Sequence, residues 1–140
     1  MKIKNKHYFL IAGEASGDLH GAELMNELKK INDSIVFSGL GGIKMEECGL
    51  SSLAPIQELA VMGFWEVLKK YTFFLNLQKK VLNHIDQSKP DKIILIDYPG
   101  FNLRIAKKIK EKFNIPIFYY ISPQVWAWKE KRINDLKKYV

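Results

Sequence analysis

Three short polar stretches of this sequence combine residue types that could carry out chemistry on a sugar or a phosphate. In the sharpest, "IDYPGFN" (96–102), Asp97 ends an apolar run and Pro99 and Gly100 follow at once. A carboxylate that a rigid turn holds at the end of a buried strand is typical of a general base. A turn acid or a helix cap would give the same pattern. Asp97 is therefore the candidate catalytic residue.

The second stretch, "GEASGD" (13–18), combines two glycines with a serine and two acids. The glycines permit a ligand to approach closely, and Ser16 or Asp18 can cap the helix that follows. The stretch is neither the dinucleotide fingerprint nor a P-loop, because it lacks the spacing of the first and the Gly-Lys-Ser/Thr of the second. We interpret it as a substrate-binding loop, with a capped turn that binds nothing as the alternative. The candidate residues are Gly13, Glu14, Ser16, Gly17 and Asp18.

The third stretch, "ISPQVWAW" (121–128), supplies Ser122, Gln124 and Trp126. Its indole rings suit stacking on a sugar or a nucleobase, although ordinary packing explains tryptophans equally well. No metal site is predicted, because the three histidines have no metal-ligand spacing and Cys48 has no cysteine partner.

Four apolar segments read as the strands that must position these stretches. They are His7–Ala12, Ile35–Ser38, Asp91–Asp97 and Ile115–Ser122. Their apolar runs are continuous rather than alternating, which indicates strands that are covered on both faces. Helical patterns lie between them, so the sequence predicts a Rossmann-like, doubly wound parallel α/β sheet in one domain, residues 1–140. Ligands of such sheets gather at the carboxyl ends of the strands, where all three polar stretches fall.

Residues 61–82, "VMGFWEVLKKYTFFLNLQKKVL", are rich in aromatic side chains flanked by lysines. This pattern suits a helix that lies in a membrane interface. The alternative is a buried pair of helices joined near Tyr71-Thr72.

Composition narrows the class of protein. The 140 residues correspond to one compact domain, and a single cysteine favours a reducing compartment. No signal peptide is visible, because the apolar run after the first lysines is too short. The net charge of +7 comes entirely from residues 101–140, which favours an anionic partner: a phosphorylated substrate, a membrane surface or nucleic acid. A solvated, lysine-rich face is the alternative. No nucleic-acid-binding motif is present, so nucleic acid is not an expected partner.

Five motifs, in order and spaced from end to end, resemble the lipid-A-disaccharide synthase family of bacterial glycosyltransferases. They are "GEASGD" (13–18), "GLGG" (39–42), "ELAVMGFWEVL" (58–68), "DYPGFN" (97–102) and "SPQVWAWK" (122–129). The resemblance implies the N-terminal, acceptor-side domain of a GT-B enzyme, with the donor domain that binds the UDP-sugar outside this chain.

The implied reaction transfers 2,3-diacylglucosamine from UDP to the 6-hydroxyl of 2,3-diacylglucosamine 1-phosphate (lipid X), and releases UDP. The resemblance implies that Asp97 is the base and that Asn102, Ser122, Gln124 and Trp126 line the cleft. No cofactor is expected.

Because these substrates are acylated, the family also implies peripheral association with the cytoplasmic face of the inner membrane. The expected membrane contacts are Phe64, Trp65, Leu68, Phe73, Phe74 and Leu75. The alternative to this function is a Rossmann-like module that binds a sugar or nucleotide without catalysis.

Overall fold

The computed structural model describes residues 5–55, 66–121 and 130–140. Strands and helices alternate along the chain. The strands are β1 (His7–Ala12), β2 (Val36–Gly41), β3 (Leu50–Pro55), β4 (Lys92–Ile96) and β5 (Ile117–Tyr120). The helices are α1 (Ala15–Ile31), α2 (Ile43–Glu47), α3 (Glu66–Ser88), α4 (Pro99–Lys112) and α5 (Glu130–Tyr139).

The five strands form one parallel sheet in the order β3-β2-β1-β4-β5. The central strand is β1, where Phe9 lies opposite Ser38 of β2 on one side and Ile93 of β4 on the other. The chain therefore winds outwards from β1 in one direction through β3, and then in the other direction through β4 and β5. The predicted doubly wound, Rossmann-like α/β fold is confirmed.

Alternate residues of the central strands pack on opposite faces of the sheet. Phe9 and Ile11 of β1 are buried in a cluster with apolar residues of α3 and α4, and Tyr139 of α5 joins the same cluster. Leu10 and Ala12 are buried on the other face, against α1 and α2. Since both faces are covered, none of the four buried positions from Phe9 to Ala12 favours a polar residue. This is why its apolar run is continuous.

The strand β3 was not predicted. Its sequence contains Ser51 and Ser52 and lacks a long apolar run, because β3 lies at the edge of the sheet. Its pairing with β2 shifts register between Gly39 and Gly41. Gly39 has φ of +145°, and a Cβ there would overlap the carbonyl oxygen of Leu10. Only glycine fits this irregular part of β2.

The alternative of two helices joined near Tyr71-Thr72 is wrong, because α3 is continuous from Glu66 to Ser88. Leu77, Val81 and Ile85 recur every four residues and are buried in the core beneath the helix. One amphipathic helix therefore explains the second half of the pattern.

A hydrogen-bonded group of polar side chains lies near the amino end of β1. Ser38 Oγ is 2.7 Å from His7 Nε2 and 3.1 Å from His84 Nε2. Burial lowers the pKa of His84, and the nearby His7 lowers it further. The neutral form of His84 is therefore favoured in the folded chain.

Candidate active site

The carboxyl ends of β1 and β4 adjoin at the position where the winding direction of the sheet reverses. The loops that follow these two strands lead to helices on opposite faces of the sheet. In open α/β sheets such loops usually border the ligand crevice. Gly13 follows β1 and Asp97 follows β4. The structure thus brings together the two polar stretches that the sequence singled out, although more than 80 residues separate them in the chain.

Direct contact between the two loops is made by Gly13 and Tyr98. Gly13 is buried against the Tyr98 ring, and a Cβ at position 13 would overlap three carbons of that ring. Burial raises the pKa of the Tyr98 hydroxyl, and the charge of Glu14 raises it further. The first loop therefore needs its first glycine because an aromatic side chain of the second loop occupies the space.

The exposed part of the first loop consists of Glu14, Ala15 and Ser16. Glu14 is the N-cap residue of α1, and its side chain makes no capping hydrogen bond. The next residues begin the helix, whose first backbone N–H groups have no partner within the helix. Glu14 and Ser16 thus offer polar groups at the rim of the crevice, where ligand hydroxyl groups can reach them. Their role as ligands stays a prediction.

The buried side chain of the first loop is Asp18, which is only 7% exposed. Its carboxylate accepts hydrogen bonds from the backbone N–H of Gly42 at 2.9 Å, Met45 at 2.9 Å and Lys44 at 3.1 Å. The prediction that Ser16 or Asp18 caps α1 is wrong, because Asp18 instead caps the start of α2. These contacts give Asp18 a positioning role, and its direct contact with substrate stays a prediction.

The contact with the Asp18 carboxylate also explains the glycine at position 42. A Cβ at Gly42 would lie 2.5 Å from Asp18 Oδ2. The "GLGG" motif therefore lets the backbone after β2 approach the carboxylate.

Gly17 is buried next to Ala12, with its nearest neighbour at 3.3 Å from an added Cβ. Its close packing positions α1 on the sheet.

Asp97 and Tyr98 form a tight turn in which both residues have φ of +47°. Two consecutive non-glycine residues in this left-handed region cost free energy, so the surrounding structure must fix them. Asn102 Nδ2 donates to the carbonyl oxygen of Asp97 at 2.7 Å, and Tyr119 Oη donates to the same oxygen at 2.6 Å. Pro99 then starts α4. The backbone of the candidate base is thus held from two sides.

Asn102 is completely buried, and it also donates weakly to the carbonyl oxygen of Ile96 at 3.3 Å. Its Oδ1 is buried without a hydrogen-bond partner among the described residues. This side chain fixes the turn, and its contact with a ligand stays a prediction. Sequence reasoning missed Tyr119. Its signal was a hydroxyl group within the apolar run "IPIFYYI".

Asp97 itself is half-buried, directly after the carboxyl end of β4. Within the described ranges, no side-chain hydrogen bond or ion pair engages its carboxylate oxygens, in contrast to those of Asp18. The backbone is fixed while the carboxylate is available, which is the arrangement that a general base requires. Its catalytic role is a prediction that this geometry supports.

Several predicted contacts lie outside the described residues. These are Ser122, Gln124 and Trp126 of the third loop, Phe64 and Trp65 before α3, and the side chain of Leu68 within α3. The backbone reaches the third loop through Ile121, which adjoins Asp97: the Asp97 N–H donates to the Ile121 carbonyl oxygen at 3.2 Å. Ile121, the first residue of the third stretch, thus lies beside the candidate base.

Three of the predicted membrane contacts are described, and all lie on α3. Phe73 and Phe74 are half-buried against the core, and Leu75 is 37% exposed. Among the helices that the structure describes, none is long and apolar enough to cross a membrane. Nor do the described residues bring together three or more His, Cys, Asp or Glu side chains that could hold a metal ion.

Comparison with known proteins gives consistent similarities. Residues 8–140 match the family model of lipid-A-disaccharide synthetase. The chain is 41% identical over 138 residues to the lipid-A-disaccharide synthase of Coxiella burnetii (strain Dugway 5J108-111), which covers 99% of this chain and 36% of the relative. It is 43% identical over 128 residues to lipid-A-disaccharide synthase 1 of Legionella pneumophila (strain Philadelphia 1), covering 91% and 33%. The chain thus spans about a third of the length of these curated relatives.

Proposed function

We propose that this chain, which belongs to the lipid-A-disaccharide synthetase family, is the acceptor-side domain of a glycosyltransferase of lipid A biosynthesis. The observation that carries the proposal is the position of Asp97. Its backbone is clamped at the point where the sheet reverses its winding, and no side-chain hydrogen bond or ion pair engages its carboxylate among the described residues. The names of the relatives supply the reaction class.

The proposed reaction joins two acylated sugars. The acceptor is 2,3-diacylglucosamine 1-phosphate (lipid X), and the donor is UDP-2,3-diacylglucosamine. The Asp97 carboxylate takes the proton of the acceptor 6-hydroxyl as its oxygen attacks the anomeric carbon of the donor. The bond between that carbon and the phosphate oxygen breaks, and UDP leaves with the electron pair. A positioned general base of this kind accelerates a reaction by about 10²–10⁴-fold.

The other residues divide by their surroundings into two groups. Exposed polar groups at the rim, Glu14 and Ser16, contact hydroxyl groups of the acceptor sugar. Buried residues act by positioning: Gly13 accommodates Tyr98, Gly17 seats α1, Asp18 holds the "GLGG" turn, and Asn102 fixes Asp97. The third loop adds the cleft-side residues Ser122, Gln124 and Trp126.

We propose that the donor sugar binds to a second domain, as the resemblance to the family implies. We assign this role to the part of the relatives that the chain does not match, which is about two thirds of their length. Most of the UDP contacts would lie there. The domain formed by residues 1–140 would contribute the acceptor and the base.

Acylated substrates require the enzyme to work at the cytoplasmic face of the inner membrane. We propose that the start of α3 and the residues before it contact that surface, through Phe64, Trp65, Leu68, Phe73, Phe74 and Leu75. Support comes from Tyr71, which is 60% exposed on α3, and from Leu75 beside it. The positive charge of residues 101–140 would favour anionic headgroups.

Product formation tests the proposed function. The natural full-length protein is incubated with UDP-2,3-diacylglucosamine and 2,3-diacylglucosamine 1-phosphate, and both UDP and the disaccharide 1-phosphate are measured by mass spectrometry. We expect both products in equal amounts. Binding of either substrate without any product would instead identify a sugar- or nucleotide-binding module without catalysis. No cofactor or metal is added, and addition of a chelator is expected to leave the rate unchanged.

A further inference from the structure

A groove leads from the neighbourhood of the candidate base outwards between α3 and α4. Its inner part is a cavity of about 270 Å³ lined by Phe74, Gln78, Tyr98, Gly100, Phe101 and Arg104. Two of these residues follow Asp97 closely in the chain: Tyr98 in the turn before α4, and Gly100 in the first turn of α4. The groove is therefore continuous with the candidate active site.

The floor of the groove is a row of aromatic rings. The ring centroids of Tyr98 and Phe101 are 6.3 Å apart, those of Phe101 and Phe74 are 6.0 Å apart, and those of Phe74 and Phe73 are 6.0 Å apart. This row leads without interruption from the residue after Asp97 to α3, the helix that we propose to lie against the membrane. Apart from the Tyr98 hydroxyl, the side chains of this row present apolar ring surface.

The rim of the groove is cationic. A second cavity of about 390 Å³ shares Gln78 and Arg104 with the first and adds Lys107 and Lys108, with Glu111 as its acid. Lys108 Nζ donates to the buried Gln78 Oε1 at 2.9 Å, so this lysine is already engaged. Arg104 is exposed, and none of the described residues forms an ion pair with it. Its guanidinium is free to bind a phosphate group.

We propose that this groove, which we call the α3–α4 groove, holds one fatty acyl chain of the acceptor, with Arg104 at its rim binding the acceptor phosphate. The proposal rests on the proposed function and adds to it the subsite that selects an acylated, phosphorylated sugar. A sugar ring would need several converging polar groups, whereas the floor offers the ring faces of Tyr98, Phe101 and Phe74. A chain of methylene groups matches the aromatic row, and an anion matches the rim.

Gly100 offers a way to block the α3–α4 groove without disturbing the fold. A Cβ added at Gly100 meets no atom within 4 Å, and the residue lies in the first turn of α4 with ordinary negative φ. Replacement by leucine should improve helix propensity while filling the cavity. Gly100→Ala, which adds one methyl group, is the matched control for the change in propensity.

A second apolar groove supplies a control for nonspecific binding. It has a volume of about 320 Å³, lies on the opposite face of the sheet beside Tyr8 and Leu24, and includes the exposed Phe118. Phe118→Ser removes apolar surface there without touching the α3–α4 groove.

The binding test uses two probes that share a twelve-carbon chain, dodecyl phosphate and the uncharged dodecyl maltoside, each below its micelle concentration. Isothermal titration calorimetry of the chain measures both affinities. Each buried methylene contributes about fourfold to affinity, so blocking even two of them should weaken binding by about tenfold or more. We expect Gly100→Leu to bind both probes more weakly by that factor. The affinities of Gly100→Ala and Phe118→Ser should stay within about twofold of those of the unchanged chain.

Arg104→Ala separates the two parts of the proposal. It should lower the affinity for dodecyl phosphate by about fivefold to tenfold, as expected for the loss of one charged contact. The affinity for dodecyl maltoside should not change. Equal binding of dodecyl phosphate to Arg104→Ala and the unchanged chain would overturn the phosphate assignment. The acyl assignment would be overturned if Gly100→Leu bound both probes as tightly as the unchanged chain. It would also be overturned if Phe118→Ser were the only variant to lose binding.

Turnover of the natural full-length protein distinguishes failure of the groove from failure of the proposed function. If the disaccharide forms and Gly100→Leu has the same preference for long acyl chains as the unchanged protein, the function holds and the groove assignment is wrong. If the probes bind as expected and no disaccharide forms, the groove binds anionic amphiphiles and the proposed function is wrong.

Discussion

Removal of the Asp18 carboxylate tests whether this residue positions the site or binds substrate. In Asp18→Ala, the backbone N–H groups of Gly42, Lys44 and Met45 all lose their acceptor. The bonds from Gly42 and Met45 are buried, while that from Lys44 is partly accessible to water. The start of α2 and the end of β2 thus lose the group that holds them to α1.

The expected cost follows from the number of buried donors. Each buried N–H that loses its acceptor costs about 1–3 kcal/mol, which gives about 2–6 kcal/mol for two. Water that enters the vacated space restores part of this, so we expect the free energy of unfolding to fall by about 2–4 kcal/mol. Asp18→Asn retains one carbonyl acceptor but loses the charge, and should cost about 1–2 kcal/mol.

Urea unfolding of the chain, followed by circular dichroism, measures these differences. An unchanged dependence of the unfolding free energy on urea would show that both states keep their compactness. Ser16→Ala in the exposed part of the same loop is the control and should change stability by less than about 0.5 kcal/mol. If Asp18→Ala unfolds at the same urea concentration as the unchanged chain but loses affinity for the acceptor, Asp18 is a ligand and the reasoning is refuted.

Three further predictions concern the clamp, the loop contact and the histidine group. Tyr119→Phe removes the hydroxyl that binds the Asp97 carbonyl oxygen; stability should fall by about 0.5–1.5 kcal/mol and turnover should fall at unchanged KM, whereas a larger change in KM would argue against a role in fixing the base. Gly13→Ala must displace the Tyr98 ring, so thermal unfolding should show a loss of about 1–3 kcal/mol, and an unchanged melting temperature would contradict this packing. Since the pKa of His84 is lowered, the unfolded chain binds more protons below the ordinary value of 6.5, and stability should fall as pH drops through and below that value. His84→Gln should flatten this pH dependence in urea unfolding, and an unchanged slope would contradict it.

The strands that carry the site were predictable because a strand that is buried on both faces has a continuous run of apolar residues. The apolar runs of β1 and β4 mark central strands, and the position of Asp97 after β4 follows from the same pattern. β3 was missed for the converse reason, because an edge strand with Ser51 and Ser52 has no such run. The rule for parallel sheets predicts that the loops at the carboxyl ends of the strands lie at one edge. It does not predict which of these loops touch each other.

The contacts within the site were not predictable, because they join residues distant in sequence. Asp18 reads as a cap for its own helix, yet its partners come from Gly42 to Met45. Likewise, nothing in the sequence indicates that Gly13 accommodates the Tyr98 ring. Local patterns therefore identify the polar residues, while their division into exposed ligands and buried positioning groups depends on tertiary packing.

The most direct test of the central claim is turnover of Asp97→Asn in the natural full-length protein, with acceptor affinity measured alongside. Asparagine preserves the shape of the side chain and cannot accept the proton of the acceptor hydroxyl. We expect turnover to fall by about 10²–10⁴-fold with acceptor affinity unchanged, while Asp86→Asn, an exposed acid of α3, retains full turnover. Turnover of Asp97→Asn within a few-fold of the unchanged protein would contradict the assignment of Asp97 as the base.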